Sequence, residues 1–174
     1  YGKKKDQAPA ATEEAEDGYS GMFPEILQWD ERWGYSPYGT TINAVSGCGP
    51  TGGSMLVVGL TGDKTVTPSV VADYATQNHY VDVNNDTTWA FMTSGVEHWG
   101  LTCRESNGNE SEIAKELEAG HPVICSMRPG DFTDIGHFII LTSYNNGNVT
   151  ICDPFSLENS KKSWNYSQII HKNS

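Results

Sequence analysis

Residues 137–153, HFIILTSYNNGNVTICD, constrain the fold more than any other stretch of the chain. Two runs rich in Ile, Val, Thr, Phe and Tyr flank an Asn-Asn-Gly turn signal, the pattern of an antiparallel hairpin. The turn decides which face each end of the hairpin presents. A two-residue turn at Asn146-Gly147 pairs Asn145 with Asn148 and sets Asp153 opposite Ile140, on the wrong face for His137. A three-residue turn, Asn145-Asn146-Gly147, pairs Tyr144 with Asn148 and sets Asp153 opposite Ile139, which shares a face with His137. Gly147 suits the left-handed position of the longer turn, so the sequence predicts the three-residue, bulged hairpin.

Upstream of the hairpin the pattern is helical. Cys48 to about Leu60 reads as a helix, with Pro50 early and Met55, Leu56 and Val58 to bury. Gly52 and Gly53 each cost it about 1 kcal/mol relative to Ala. Close approach of another backbone is the expected compensation. Thr67-Pro68 opens a helix to about Gln77, as N-cap and first helical residue. Thr87 or Thr88 caps another, running through Trp89, Met92 and Val96 to Trp99. Asn109 to Ala119 is a further helix, with Ile113 and Leu117 on one face and Gly120 as its stop. PVICSM (122–127) and SWNY (163–166) add strands, and QWDERWGYSPYG (28–39) reads as an ordered, aromatic loop. Helices in the first half and an antiparallel sheet in the second make an α+β chain.

Residues 1–20, a basic triplet followed by Ala, Pro and an acidic run, lack periodicity and read as a disordered tether. Residues 21–174 are then one domain, an ordinary size for one. The chain opens on Tyr1 rather than Met, so it is expected to be a piece of a longer protein. Its net charge of -11 argues against a nucleic-acid binder, because phosphate contacts need a basic face. It also disfavours anionic membrane surfaces. No apolar run approaches the roughly 18 residues of a membrane span.

Three residues are linked by their places in these elements. Cys48 lies in SGCGPT at the start of a helix, where unpaired N–H groups and the positive helix end favour a thiolate. Gly47 and Gly49 flank it and are expected to leave room for a substrate backbone. His137 begins one hairpin strand, directly after Gly136, and Asp153 ends the other, just before Pro154. In the bulged hairpin Asp153 orients the imidazole and stabilises its charged form, the logic of a nucleophile–base–orienter triad. An oxyanion needs donors as well. The Cys48 N–H is one; for a side-chain amide, Gln28 in its aromatic loop is favoured over Asn43.

With Cys, His and Asp in this order, the chain resembles papain-like cysteine peptidases. More narrowly, it is similar to the peptidase C-thirty-nine-like proteins, relatives of bacteriocin-processing peptidases. The segments that carry the resemblance are QWDERWGYSPYG, SGCGPT, HPVICSMRPGDFT, GHFIILTSY and DPFSLENSKKSW, over about residues 24–170. The resemblance implies a papain-like fold with the nucleophile helix packed on the sheet, and thiol-dependent amide cleavage without a cofactor. It puts the nucleophile on Cys48, the base on His137, the orienter on Asp153 and the oxyanion amide on Gln28. The 20 residues from Gln28 to Cys48 are a longer gap than papain-like enzymes generally have. Trp29, Gly47, Gly49 and Gly136 would line the substrate cleft. A peptide or protein substrate, a monomer, and a bacterial extracellular or cell-surface location complete the expectation. The alternatives are an acyl transferase (transpeptidase- or transglutaminase-like) on the same triad, or a non-catalytic peptide- or glycan-binding module.

The remaining signals read as structural. Cys103, Cys125 and Cys152 are small buried hydrophobes rather than a disulfide or zinc set. Asp82, Asn84 and Asp86 are spaced like the start of a calcium loop, but Thr87 and Thr93 hold the places of its Gly and Glu, so no metal is assigned. Trp33, Tyr35 and Tyr38 are read with Trp29 as core beneath the long loop, or as cleft lining. Arg128 to Asp131 lead toward His137 and are a candidate cleft wall.

Overall fold

A computed structural model describes residues 2–3, 23–129 and 136–173 of the 174-residue chain. Gly2–Lys3 (β1) pair antiparallel with Leu101–Thr102 (β4), so these two residues of the expected tether are extended backbone laid along a strand edge. The rest of the tether lies outside the described residues, as do Gly130 and Asp131 of the candidate cleft wall. The aromatic loop folds back as a two-residue-strand hairpin, Pro37–Tyr38 (β2) with Thr41–Ile42 (β3), which the sequence did not reveal. The short helix α1 (Asn43–Ser46) and the long α2 (Cys48–Thr61) follow directly.

Helix α2 is buried almost all round, from Gly49 to Leu60, which makes it the spine of the molecule. Gly62, left-handed at φ 76°, ends it. Helix α3 (Pro68–Gln77) begins where Thr67 Oγ1 accepts from Val70 N, as its sequence predicts. The helix expected from Trp89 to Trp99 is instead two pieces, α4 (Trp89–Thr93) and a 3₁₀ turn (Gly95–Trp99). Ser94-Gly95 is a weak helical pair, and the Phe91 ring fills the space that a Cβ at Gly95 would need. The helix expected over Asn109 to Ala119 is α5 (Glu110–Glu118), with Asn109 as its N-cap and Gly120 following at φ 82°.

Strands β5 (Val123–Met127), β6 (His137–Asn145), β7 (Asn148–Cys152) and β8 (Ser163–Asn165) form one antiparallel sheet in that order. The helices α6 (Leu157–Lys161) and α7 (Tyr166–Asn173) lie either side of β8 in sequence. Both faces of the sheet are covered, so successive residues of β6 are buried in different cores. Ile140, with Ile124 and Cys152 beside it, joins the core of α2 and α3. Ile139 and Leu141 join a second core with Ile113 and Leu117 of α5 and Tyr166 and Ile169 of α7. This is the α+β papain-like architecture expected, with α2 against the sheet.

The compensation for two helix glycines differs from expectation. A Cβ at Gly53 would press on the Phe91 ring and Val71 at 3.0–3.3 Å, and one at Gly52 would only touch Ile124 and Ile140 at 3.7–3.9 Å. Side chains, not another backbone, approach α2 there.

Candidate active site

Cys48 is placed by the joint between two helices. Gly47 N donates to Asn43 O (2.8 Å), closing α1, and Gly47 O accepts from Thr51 N (3.0 Å), opening α2. Pro50 sits in the first turn, where its missing N–H is no loss. Because α2 is locked in the core, its first residue is fixed at the core's rim, and the Cys48 side chain is half-buried.

His137 and Asp153 meet by a different route from the one the turn chemistry predicts. The turn has two residues, Asn146 and Gly147 at φ 50° and 84°, and pairs Asn145 with Asn148. By itself that register would separate His137 from Asp153. The extra residue appears inside β6 instead. The register shifts between Leu141 and Ser143, leaving Thr142 and Ser143 opposite Thr150. Thr142 Oγ1 and Ser143 Oγ both hydrogen-bond Thr150 Oγ1, at 2.8 and 2.6 Å. Beyond the bulge Ile140 pairs with Cys152, so Ile139 stands level with Asp153 and the two ends share a face after all. His137 Nε2 and Asp153 Oδ1 are 2.7 Å apart, with both side chains buried.

Asp153 is held by the segment after it. Its Oδ1 also accepts from Phe155 N (2.9 Å) and Ser156 N (3.3 Å), and its Oδ2 from Asn159 Nδ2 (2.9 Å). Asp153 N donates to Ser160 Oγ (2.8 Å). Asn159 and Ser160 belong to α6, which the sequence reading did not anticipate; Ser156, three residues ahead of Asn159 and accepting from its N–H, was the available N-cap signal.

These contacts set the charges. Burial would raise the Asp153 pKa, but the His137 hydrogen bond and charge, with Asn159 and the Phe155 N–H, hold it below the usual carboxylate value. Burial would lower the His137 pKa. The hydrogen bonds to Asp153 and Cys48, and the charges of both partners, outweigh burial and raise it to about 9. The Cys48 thiol is therefore within hydrogen-bond reach of the ring. With Nε2 on Asp153, Nδ1 is the nitrogen left to face the thiol. The Phe155 ring stands edge-on to the imidazole, 6.5 Å between centroids.

Gln28 is buried between the two halves. Its N–H donates to Pro154 O (2.7 Å), its carbonyl accepts from Asn43 Nδ2 (3.0 Å), and its Nε2 donates to Ala44 O (3.1 Å). One edge of Gln28 is thus tied to the residue after Asp153, the other to the helix before Cys48. Asn43, the alternative donor, is fully buried, and its Nδ2 hydrogens go to Gln28 O and Thr51 Oγ1. Trp29 is half-exposed, its Nε1 donating to Phe155 O (2.8 Å).

The expected cleft glycines divide. Gly136 is exposed, with open space where a Cβ would point. Gly47 and Gly49 are buried, and the space each leaves is taken by the protein: the Asn43 amide at Gly47, the Thr87 hydroxyl at Gly49. They pack the helix start and do not make room for substrate. Trp33 and Tyr38 are core, and Tyr35 is exposed.

None of the other three cysteines is in a disulfide, and Cys103 is half-buried rather than buried as expected. Burial raises Cys125 and Cys152 to about 12, so both are inert thiols. Asp82 Oδ1 accepts from Asn84 N and Asp86 N, which closes the calcium-like loop on itself. No cluster of three or more potential metal ligands occurs among the described residues.

A cysteine at the rim of a buried helix, facing a buried His–Asp pair on an antiparallel sheet, belongs to the papain-like class of cysteine peptidase folds. The family follows from comparison: the model of the Peptidase_C39 like family matches residues 15–173. The chain belongs to that family, which indicates a cysteine peptidase acting on peptide substrates. Comparison with curated proteins and with solved structures finds no match. Among the described residues no helix is long and apolar enough to cross a membrane.

Proposed function

We propose that the chain is a thiol-dependent hydrolase that cleaves peptide or amide bonds through Cys48, His137 and Asp153. The Cys48 thiolate attacks the carbonyl carbon, forming the C–S bond and an oxyanion. The Cys48 N–H and the second Nε2 hydrogen of Gln28 donate to that oxyanion. On collapse the C–N bond breaks and the leaving amine takes its proton from the His137 imidazolium. Water then attacks the thioester with His137 as base, releasing the acid and the thiol. Asp153 keeps the ring oriented and stabilises its charged form throughout. A bacterial extracellular or cell-surface location belongs to the same proposal and rests on the family resemblance alone.

The observation that carries it is the buried 2.7 Å His137–Asp153 bond, with the Cys48 thiol close enough to the ring to help raise its pKa. The test is the alkylation rate of each cysteine by iodoacetamide against pH, in wild type and His137→Ala. At pH 6 an ordinary thiol is ionised to only about one part in 300. Fast labelling of Cys48 there, slowed on the order of 100-fold without His137, is the expected result. A Cys48 that labels slowly in both proteins would defeat the proposal and turn attention to binding.

A further inference from the structure

The two sides of the proposed oxyanion site come from parts of the chain 20 residues apart, and one buried amide joins them. Asn43 has no exposed surface. Its Nδ2 donates to the carbonyl of Gln28 at 3.0 Å and to Thr51 Oγ1 of α2 at 3.3 Å. Its own carbonyl accepts from Gly47 N (2.8 Å), the residue before the nucleophile. Its Oδ1 has no partner and occupies the space that a Cβ on Gly47 would fill. The backbone of Asn43 is pinned in turn by a bond from its N–H to Ser36 O (2.9 Å). A buried amide oxygen left unpaired costs stability. The orientation persists because turning the amide over would bring Oδ1 against the carbonyl of Gln28.

We infer that Asn43 is a positioning residue, whose side-chain amide sets Gln28 relative to the Cys48 N–H so that both donors converge on one oxyanion. This rests on the role proposed for Gln28 above. The carbonyl of Gln28 is the only group of that residue that Asn43 grips, so the effect on chemistry is indirect. A donor displaced by about 1 Å loses much of its value, because oxyanion stabilisation depends on prearranged geometry. Thr51, the other acceptor of the same amide, serves as the internal control. Removing its hydroxyl leaves the Asn43–Gln28 bond in place.

The experiment compares two reactions at Cys48. Acylation by p-nitrophenyl acetate, read as the p-nitrophenolate burst, develops an oxyanion; alkylation by iodoacetamide does not. Gln28→Ala is expected to slow acylation about 100-fold. Asn43→Ala is expected to slow it at least tenfold, with alkylation within twofold of wild type and no further loss in the double variant. Thr51→Val is expected to stay within twofold in both reactions. If Asn43→Ala acylates at the wild-type rate, or loses both reactions by the same factor, the positioning role is overturned. If wild type alkylates but is not acylated, the hydrolase proposal itself fails. Asn43 is then judged by hydrogen exchange of the Gln28 side-chain amide in NMR spectra. Protection lost in Asn43→Ala and kept in Thr51→Val supports positioning; protection kept in both overturns it.

Discussion

Asp153 accepts hydrogen bonds from His137 Nε2, Phe155 N, Ser156 N and Asn159 Nδ2 and is buried, whereas Cys48, across the same imidazole, is half-buried and is positioned by the helix it begins. The two ends of the site are built on different principles. A permanent charge in a dry place must be surrounded by donors or it will protonate. The nucleophile proposed at Cys48 would need an open side for the carbonyl it attacks, and its placement comes from the backbone of α2. The carboxylate end should therefore carry stability, and the thiol end should carry reactivity alone.

Three measurements break or sharpen that contrast. Asp153→Ala has the largest expected effect. It leaves the charge of His137 buried without its partner and strips the acceptor from three more donors, a loss of about 3–5 kcal/mol in urea unfolding. A loss under about 1 kcal/mol would mean that the network around α6 holds itself together without the carboxylate.

The pH dependence of stability comes next. The folded pKa of His137, about 9, lies above its usual value of about 6.5. Its contribution, on the order of 3 kcal/mol, is fully present below about pH 6.5 and is lost as pH rises through about 9. The lowered pKa of Asp153 has the opposite sign: its contribution is present above about pH 4 and is lost as pH falls. Urea midpoints should thus be highest between about pH 4 and 6.5, and His137→Ala should flatten the decline on the alkaline side. An unchanged alkaline decline in that variant would assign it to other groups.

Cys48→Ala has the smallest expected effect, a stability change under about 1 kcal/mol with all labelling at position 48 abolished. A loss as large as that of Asp153→Ala would erase the difference between the two ends.

How far the site was legible varies residue by residue. Cys48 between glycines at a helix start, His137 at a strand start and Asp153 at a strand end were all visible, because each marks the boundary of an element with a clear period. The register between the last two was only half visible. The sequence demands one extra residue if they are to meet, and Asn145-Asn146-Gly147 looked like its place. Asn146 tolerates a left-handed conformation better than most side-chain-bearing residues, and with Gly147 beside it the short turn forms. The extra residue moves to Thr142, where hydroxyls of Thr142, Ser143 and Thr150 satisfy one another. Gly47 and Gly49 were misjudged for a related reason. A missing side chain shows that something lies close, but not whether it is substrate or the protein's own Asn43 and Thr87.

The sequence by itself determined the main elements, their order and the α+β class, though not the β2–β3 hairpin, α6 or the break after Thr93, since the main elements follow from local periodicity, caps and turn residues. It also determined which three side chains stand at the ends of elements. The tertiary structure alone decided which of them meet and how their charges are held. Strand register depends on pairing across the whole hairpin, and the His137 and Asp153 pKa values depend on burial and on donors from α6. The place of Gln28 was settled the same way, by bonds to Pro154, Asn43 and Ala44 that join residues far apart in the chain. Such contacts are long-range, and no local pattern encodes them.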